Sequence, residues 1–228
     1  MENKKFEFTE ETKTTSRGVT VKRIVALRDF GDVKVGDKGG FLEKEENLSH
    51  DNDCWVYDEA QVYGEARVYD EARVYGEARV YGEAQVYDEA RVYDEAQVYG
   101  EAQVYDEAQV YDEARVYDEA RVYDEARVYG EARVYDEAQV YGEAQVYDEA
   151  RVYGEARVTT VVKTFGNGFD YRITVTDKHI KIGCQQHLKS EWYNFQEGEI
   201  IEMDGKRALK FWRIFKPLAE QLGLFEEI

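Results

Sequence analysis

Val56-Tyr57-Asp58-Glu59-Ala60-Gln61 opens a run of seventeen uninterrupted hexapeptides ending at Arg157, each of the form Val-Tyr-(Asp/Gly)-Glu-Ala-(Arg/Gln). The run occupies 102 of the 228 residues, which excludes an ordinary mixed globular core for almost half of the chain. A unit this short cannot bury its own apolar side chains, but it can bury them against copies of itself. A helix advances about 100° per residue, so a period of six turns each successive Val by about 240° and leaves no apolar face. In an extended chain, Val and Ala share one side while Tyr and Arg or Gln share the other. A single extended strand of that length is not a fold.

The solution that remains bends the chain after each short strand and coils it, three hexapeptides per turn, with Val and Ala facing the axis. The sequence therefore predicts a mainly β protein built on a left-handed parallel β-helix. Asp or Gly followed by Glu supplies each corner, because Gly and Asp tolerate the backbone angles of a sharp turn. Every residue then stacks on its equivalent eighteen positions away at about the 4.8 Å strand spacing. Seventeen units make five coils and two thirds of a sixth, about 27 Å of tube.

The repeats carry 17 Glu and 10 Asp against 10 Arg, and so hold −17 of the chain's net charge of −19. Over about 27 Å this is one net charge per ~1.6 Å, near the one per ~1.7 Å of duplex DNA. The interleaved Arg breaks the uniform sign of a phosphate backbone. Direct binding to nucleic acid phosphates or to an anionic membrane is disfavoured. No stretch has the roughly 18 apolar residues of a membrane span, and the start of the chain lacks a secretory leader's apolar run. A cytoplasmic protein is expected. Cys54 and Cys184 lie too far apart in sequence to read as a disulfide framework.

Residues 1–55 read as an N-terminal β cap and lead-in coil, residues 56–158 as the β-helix, and residues 159–228 as a small α+β module. In the cap, Phe6 and Phe8 alternate with polar residues, and Val19, Val21 and residues 24–27 form an apolar run, which predicts a strand pair. Cys54 falls in the frame of the inward Ala and reads as a small core residue. After Val158, residues 170–183 predict a hairpin turning at Asp177-Lys178. Ala208, Phe211, Trp212, Phe215, Leu218, Ala219 and Leu222 then recur at helical spacing, with Pro217 expected to kink or restart the helix. Lys206, Lys210 and Arg213 share its other side.

The residues also resemble a known family. The frame Val-x-x-x-Ala-x is similar to the hexapeptide repeat of left-handed β-helix acyltransferases. Its Tyr-(Gly/Asp)-Glu-Ala filling resembles bacterial and phage hexapeptide-repeat proteins of unknown role. Residues 24–49, with Cys54-Trp-Val-Tyr-Asp, are similar to the start of an acyltransferase-like family. This resemblance, over residues 20–158, implies the fold, a phage or prophage origin, and acyl transfer as one reading.

The residues themselves offer little for catalysis. The repeats contain no His, Ser, Lys, Asn or Cys, and their solvent-facing Glu have no pocket that would shift one pKa. No catalytic residue and no cofactor is expected. Cys184 and His187, with His179, form only a weak CxxH arrangement, so no metal is expected either. The outward pattern carries more. Tyr81, Tyr99 and Tyr117, eighteen apart, with Glu83, Glu101, Glu119 and Asp118 beside them, form a candidate binding face. Tyr is a rigid contact residue common at hot spots, although stacked rings also stabilise a coil without any partner. The leading reading is a non-enzymatic interaction protein that binds a host protein with a basic surface, by DNA mimicry or defence inhibition. A hexapeptide-repeat acyltransferase, active or degenerate, and a structural spacer displaying the C-terminal module are the alternatives, and self-association is left open.

Deleting residues 92–109, one whole coil, should leave a folded protein with a near-native melting temperature. Deleting twelve residues shifts every face by a third of a turn and should melt lower. Equal circular dichroism and melting for the two deletions would contradict three units per coil.

Overall fold

The computed structural model describes residues 4–159, the backbone of 161–165, and residues 171, 173–176 and 178–225. Contacts divide the chain into two compact units, Met1–Thr159 and Thr160–Ile228.

The first unit begins with β1 (Phe6–Thr14), β2 (Thr20–Ala26) and β3 (Lys38–Leu42), followed by eighteen two-residue strands from β4 (Trp55–Val56) to β21 (Arg157–Val158). Each short strand joins the sixth residue of one hexapeptide to the Val of the next. The strands fall into three parallel ladders. The first face runs β5-β8-β11-β14-β17-β20, the second β6-β9-β12-β15-β18-β21 and the third β4-β7-β10-β13-β16-β19. Gln103 pairs with Gln85 on one side and Arg121 on the other, a register of eighteen residues. Three hexapeptides per turn is thus the observed coil, and the chain forms a parallel β-solenoid.

Its wall is held by a regular set of backbone bonds. The second, fourth and sixth residues of a unit donate to carbonyls of the next coil, as in Tyr69 N to Val86 O at 3.1 Å, Glu71 N to Asp88 O at 3.0 Å and Arg73 N to Ala90 O at 3.0 Å. At the corner, the third residue adopts a left-handed φ, between 50° and 57° at the ten Asp and between 64° and 74° at the seven Gly. Every Asp unit closes its corner with a bond from Ala N to Tyr O, 3.1–3.4 Å long. Inside, Val104, Ala108 and their equivalents in the middle coils are 0% exposed. Each fully buried Val contributes roughly 1.5–3 kcal/mol.

β1 and β2 form the expected antiparallel pair, from Phe6 opposite Ala26 to Thr14 opposite Thr20. β3 pairs antiparallel with β2 and parallel with β5, so the N-terminal strands extend the first face. The lead-in coil sets Phe41 opposite Gln61 and Leu48 opposite Val68, two residues wider than the later period. Gly39 and Gly40 permit this join, since a Cβ would lie 2.6 Å from Ile24 Cγ1 at one and from Ala60 O at the other. Trp55, where later coils place Arg or Gln, is sealed by Phe6 and Phe30. Cys54 is buried in the Ala frame as expected.

The second unit is a small module of sheet and helix. β22 (Val161–Phe165), β23 (Ile173–Val175), β24 (His179–Ile182) and β25 (Gln185–Leu188) form an antiparallel sheet, followed by α1 (Lys189–Asn194) and α2 (Glu197–Gln221). β23 and β24 make the expected hairpin; Asp170 and Asp177 lie outside the described residues. Ala208, Phe211, Trp212, Phe215 and Ala219 bury one side of α2, as the periodicity predicts. Two expectations are corrected. Leu218 and Leu222 are exposed, because they flank the buried stripe and do not enter it. The helix breaks at Asp204-Gly205, where Gly205 takes φ 65°, and backbone angles stay helical through Pro217. Proline removes only one intrahelical donor there, whereas the Asp-Gly step reverses the backbone angle. Arg213 is held by Glu197 at 2.7 Å.

Val104→Asp should cost about 3–5 kcal/mol or unfold the solenoid, since an inward charge finds no partner in a dry core. Glu107→Gln, at an exposed corner, should leave the melting temperature almost unchanged. Comparable melting of the two variants would contradict the inward assignment of Val.

Candidate functional site: the tyrosine columns and acidic edges

With Val and Ala inside, the unit's other residues form the surface. Tyr follows each inward Val and stacks on its equivalents in the neighbouring coils. On the first face Tyr63, Tyr81, Tyr99, Tyr117, Tyr135 and Tyr153 stack in one column with centroids 4.9–5.0 Å apart. Tyr69 to Tyr141 form the second column and Tyr75 to Tyr147 the third, at 4.8–5.3 Å. Tyr57 ends the third column edge-on to Tyr75.

Several hydroxyls are bound across the face. Tyr69, Tyr81, Tyr93, Tyr123 and Tyr129 donate to the Gln sixteen residues on, at 3.0–3.4 Å. Burial, with the neighbouring phenols of each column, pushes the pKa of Tyr87, Tyr93, Tyr99 and Tyr105 up to about 12. Tyr57 is raised by burial and then by its bond to Asp32 Oδ1 at 2.9 Å.

The expected binding residues are placed as follows. Tyr81, Tyr99 and Tyr117 do share one face and one stacked column. Tyr81, however, is 7% exposed, covered by the tip of the β1–β2 hairpin. Arg17 lies 4.4 Å above its ring and donates to its hydroxyl at 3.3 Å, while Val21, Phe41 and Tyr63 complete an apolar cluster that Val19 and Tyr99 adjoin. This part of the column is internal packing. Sequence periodicity could not show it, because the cover comes from the non-repeating segment.

Glu83, Glu101, Glu119 and Asp118 are exposed, on the corner edge that follows the first face. That edge reads Gly64, Gly82, Gly100, Asp118, Asp136, Gly154 and has the fewest Asp of the three. The densest edge lies between the second and third faces. There Asn52, Asp70, Asp88, Asp106 and Asp124 follow one another coil by coil, and Glu71, Glu89, Glu107 and Glu125 run beside them. Asn52, Asp70, Glu71, Asp88, Glu89, Asp106 and Glu107 line a shallow polar groove. Each such neighbour pair repels by just under about 1 kcal/mol in bulk-water dielectric, less with salt. Reading every third hexapeptide would have revealed this edge.

Corner carboxylates also serve the fold. Asp112, Asp124 and Asp136 each accept, at 3.0 Å, the backbone N–H of the Gly eighteen residues on. Asn52 does a related job, donating to Asp70 Oδ1 at 3.1 Å from the same left-handed conformation, φ 51°.

Other titratable groups are scattered. Cys184 is exposed at the turn between β24 and β25, and His187 packs edge-on to Trp192 and Phe195. Among the described residues, no three His, Cys, Asp or Glu side chains converge as a metal site. His50 is engaged in the cap, accepting from Lys5 N at Nδ1 and meeting Glu45 at Nε2. Among the described residues, no helix is long and apolar enough to cross a membrane.

These features define a hexapeptide-repeat β-solenoid protein with tyrosine ladders. Residues 84–100 and 126–142 match the YdcK β-solenoid repeat family. Over 55 residues the chain is 33% identical to the Escherichia coli (strain K12) protein named "Uncharacterized acetyltransferase YdcK". That match spans 24% of this chain and 17% of the relative. The resemblance to hexapeptide-repeat proteins is thus met by both comparisons.

The tyrosine columns should make the solenoid sensitive to alkali. Unfolded tyrosine ionises near pH 10, whereas Tyr87, Tyr93, Tyr99 and Tyr105 hold their protons to about 12. A folded pKa above the unfolded value gives stability that is complete below pH ~10 and lost as pH rises towards ~12. The melting temperature should fall over that interval. A melting temperature that stays level from pH ~10 to ~12 would contradict the shielding of these four rings.

Proposed function

We propose that this protein is a non-catalytic interaction scaffold whose acidic solenoid edge binds a basic surface of a protein partner. One observation carries the reading: the fold needs a residue tolerant of left-handed φ at each corner, but not a charged one. Asn52 fills that role without charge, and Asn is at least as tolerant of that conformation as Asp. Ten repeat corners carry Asp all the same, four of them consecutive on one edge. The N–H capping that corner Asp provides needs only an acceptor oxygen, which an Asn amide also offers, so the charge itself exceeds what the corner requires and costs repulsion. A long row of one sign steers association with an opposite surface and sharpens its salt dependence. The exposed parts of the tyrosine columns would add short-range contact. Mimicry of a nucleic acid surface, in a phage or prophage setting, is the finer form of this reading.

The acetyltransferase reading is favoured by the name of the E. coli relative. Against it stands the side-chain inventory of the repeats, which lacks the histidine base that such chemistry generally needs. Incubation with labelled acetyl-CoA and amine or hydroxyl acceptors should give no transfer above a blank; turnover would favour the enzyme.

The scaffold reading is tested by replacing Asp70, Asp88, Asp106 and Asp124 together with Asn, which retains corner geometry and removes charge. Circular dichroism and melting should stay near wild type. Capture of lysate proteins should weaken roughly tenfold in the variant, about 1.4 kcal/mol over the four charges, and fall steeply with salt in the wild type. Capture indifferent to both salt and substitution would overturn the reading and direct attention to the C-terminal module.

A further inference from the structure

The segment joining the cap to the first coil buries an unusual pair. Lys5, immediately before β1, is fully buried, as is Cys54 in the inward Ala frame. Lys5 Nζ donates to three corner carbonyls, Cys54 O at 2.9 Å, Asp51 O at 3.2 Å and Asn52 O at 3.4 Å, and lies 3.1 Å from Cys54 Sγ. The Phe30 ring closes another side, 5.1 Å from Nζ. None of these contacts is a carboxylate. A buried ammonium without a carboxylate is costly, and burial lowers the Lys5 pKa while raising that of the Cys54 thiol. Amine and thiol are held in contact, and burial favours the neutral form of each.

We propose that Lys5 and Cys54 are a modification site at which an oxidant installs a reversible nitrogen–oxygen–sulfur bridge, stapling the N-terminal strand to the first corner of the solenoid. With dioxygen as oxidant the step balances. One N–H bond of the Lys5 amine and the S–H bond of Cys54 break, and the O–O bond of dioxygen breaks. One oxygen atom forms the N–O and O–S bonds, and the other leaves as water with the two hydrogens. Nitrogen and sulfur each give up two electrons, and dioxygen takes four. Reversal needs two dithiol molecules and releases the bridging oxygen as a second water. The Nζ–Sγ gap is one that a single oxygen spans. Burial keeps larger thiols and proteins from competing for Cys54, while dioxygen can still diffuse in. The bridge would close the loop from residue 5 to residue 54, so the cap could no longer peel from the first coil.

Peptide mapping tests this on the full-length chain carrying Cys184→Ser, which leaves one thiol. The aerated protein should yield the Lys5 and Cys54 peptides joined, with one oxygen gained and two hydrogens lost. Dithiothreitol should separate them and lower the melting temperature. Lys5→Arg and Cys54→Ala should both lose the joined species, and Cys54→Ala, which restores the repeat's own residue, should still fold. A Cys54 thiol that stays reduced under air and under peroxide overturns the proposal. So does sulfur oxidation that leaves the two peptides separate, or a mass change that persists in Cys54→Ala.

Discussion

The left-handed backbone angle at the third residue of each hexapeptide is the constraint on which the rest of the structure depends. An L-residue in that conformation costs roughly 1–2 kcal/mol, and only Gly, Asn and Asp enter it readily. The sequence meets the requirement at every repeat corner with Asp or Gly. Once the corner is fixed, chain direction, the eighteen-residue register and the inward placement of Val and Ala follow. The backbone ladder then satisfies alternate N–H groups from one coil to the next. Asp adds to the device, because its carboxylate can cap the N–H of the corner on the following coil.

Surface chemistry is a by-product of the same register. Any side chain repeated every eighteen residues becomes a column, whether or not a column is useful. For tyrosine the column favours the fold, since parallel rings near 4.9 Å shield the wall and one another. For Asp and Glu the column opposes it by like-charge repulsion. A favourable column needs no explanation beyond stability. An unfavourable one, where Asn would serve, is the better guide to function, and the proposed scaffold reading therefore rests on the acidic edge ahead of the aromatic face.

The coil, its register and its core were legible because a six-residue period excludes a helix and a flat strand. The tyrosine columns were legible for the same reason. What the repeat does not encode was not legible from it. Arg17 covers Tyr81, and Lys5 reaches Cys54, through the path of a non-repeating segment whose tertiary contacts have no local signature. The Asp70–Asp124 edge was in the sequence but visible only when units were sorted by threes. In the C-terminal helix, Pro217 drew the expected kink to itself while Asp204-Gly205 holds it, because a reversed φ breaks a helix more decisively than one missing donor.

The central claim is the eighteen-residue stacking register, and disulfide trapping measures it most directly. In a background free of Cys54 and Cys184, cysteines replacing Glu89 and Glu107 should sit about one strand spacing apart, within the roughly 4.4–6.8 Å Cα separation of a disulfide. They should oxidise readily to an intramolecular bond. Cysteines replacing Glu89 and Glu101 lie on different edges and should remain reduced in the monomer. Bond formation in the second pair, or failure in the first with the fold intact, would contradict the register and the account built on it.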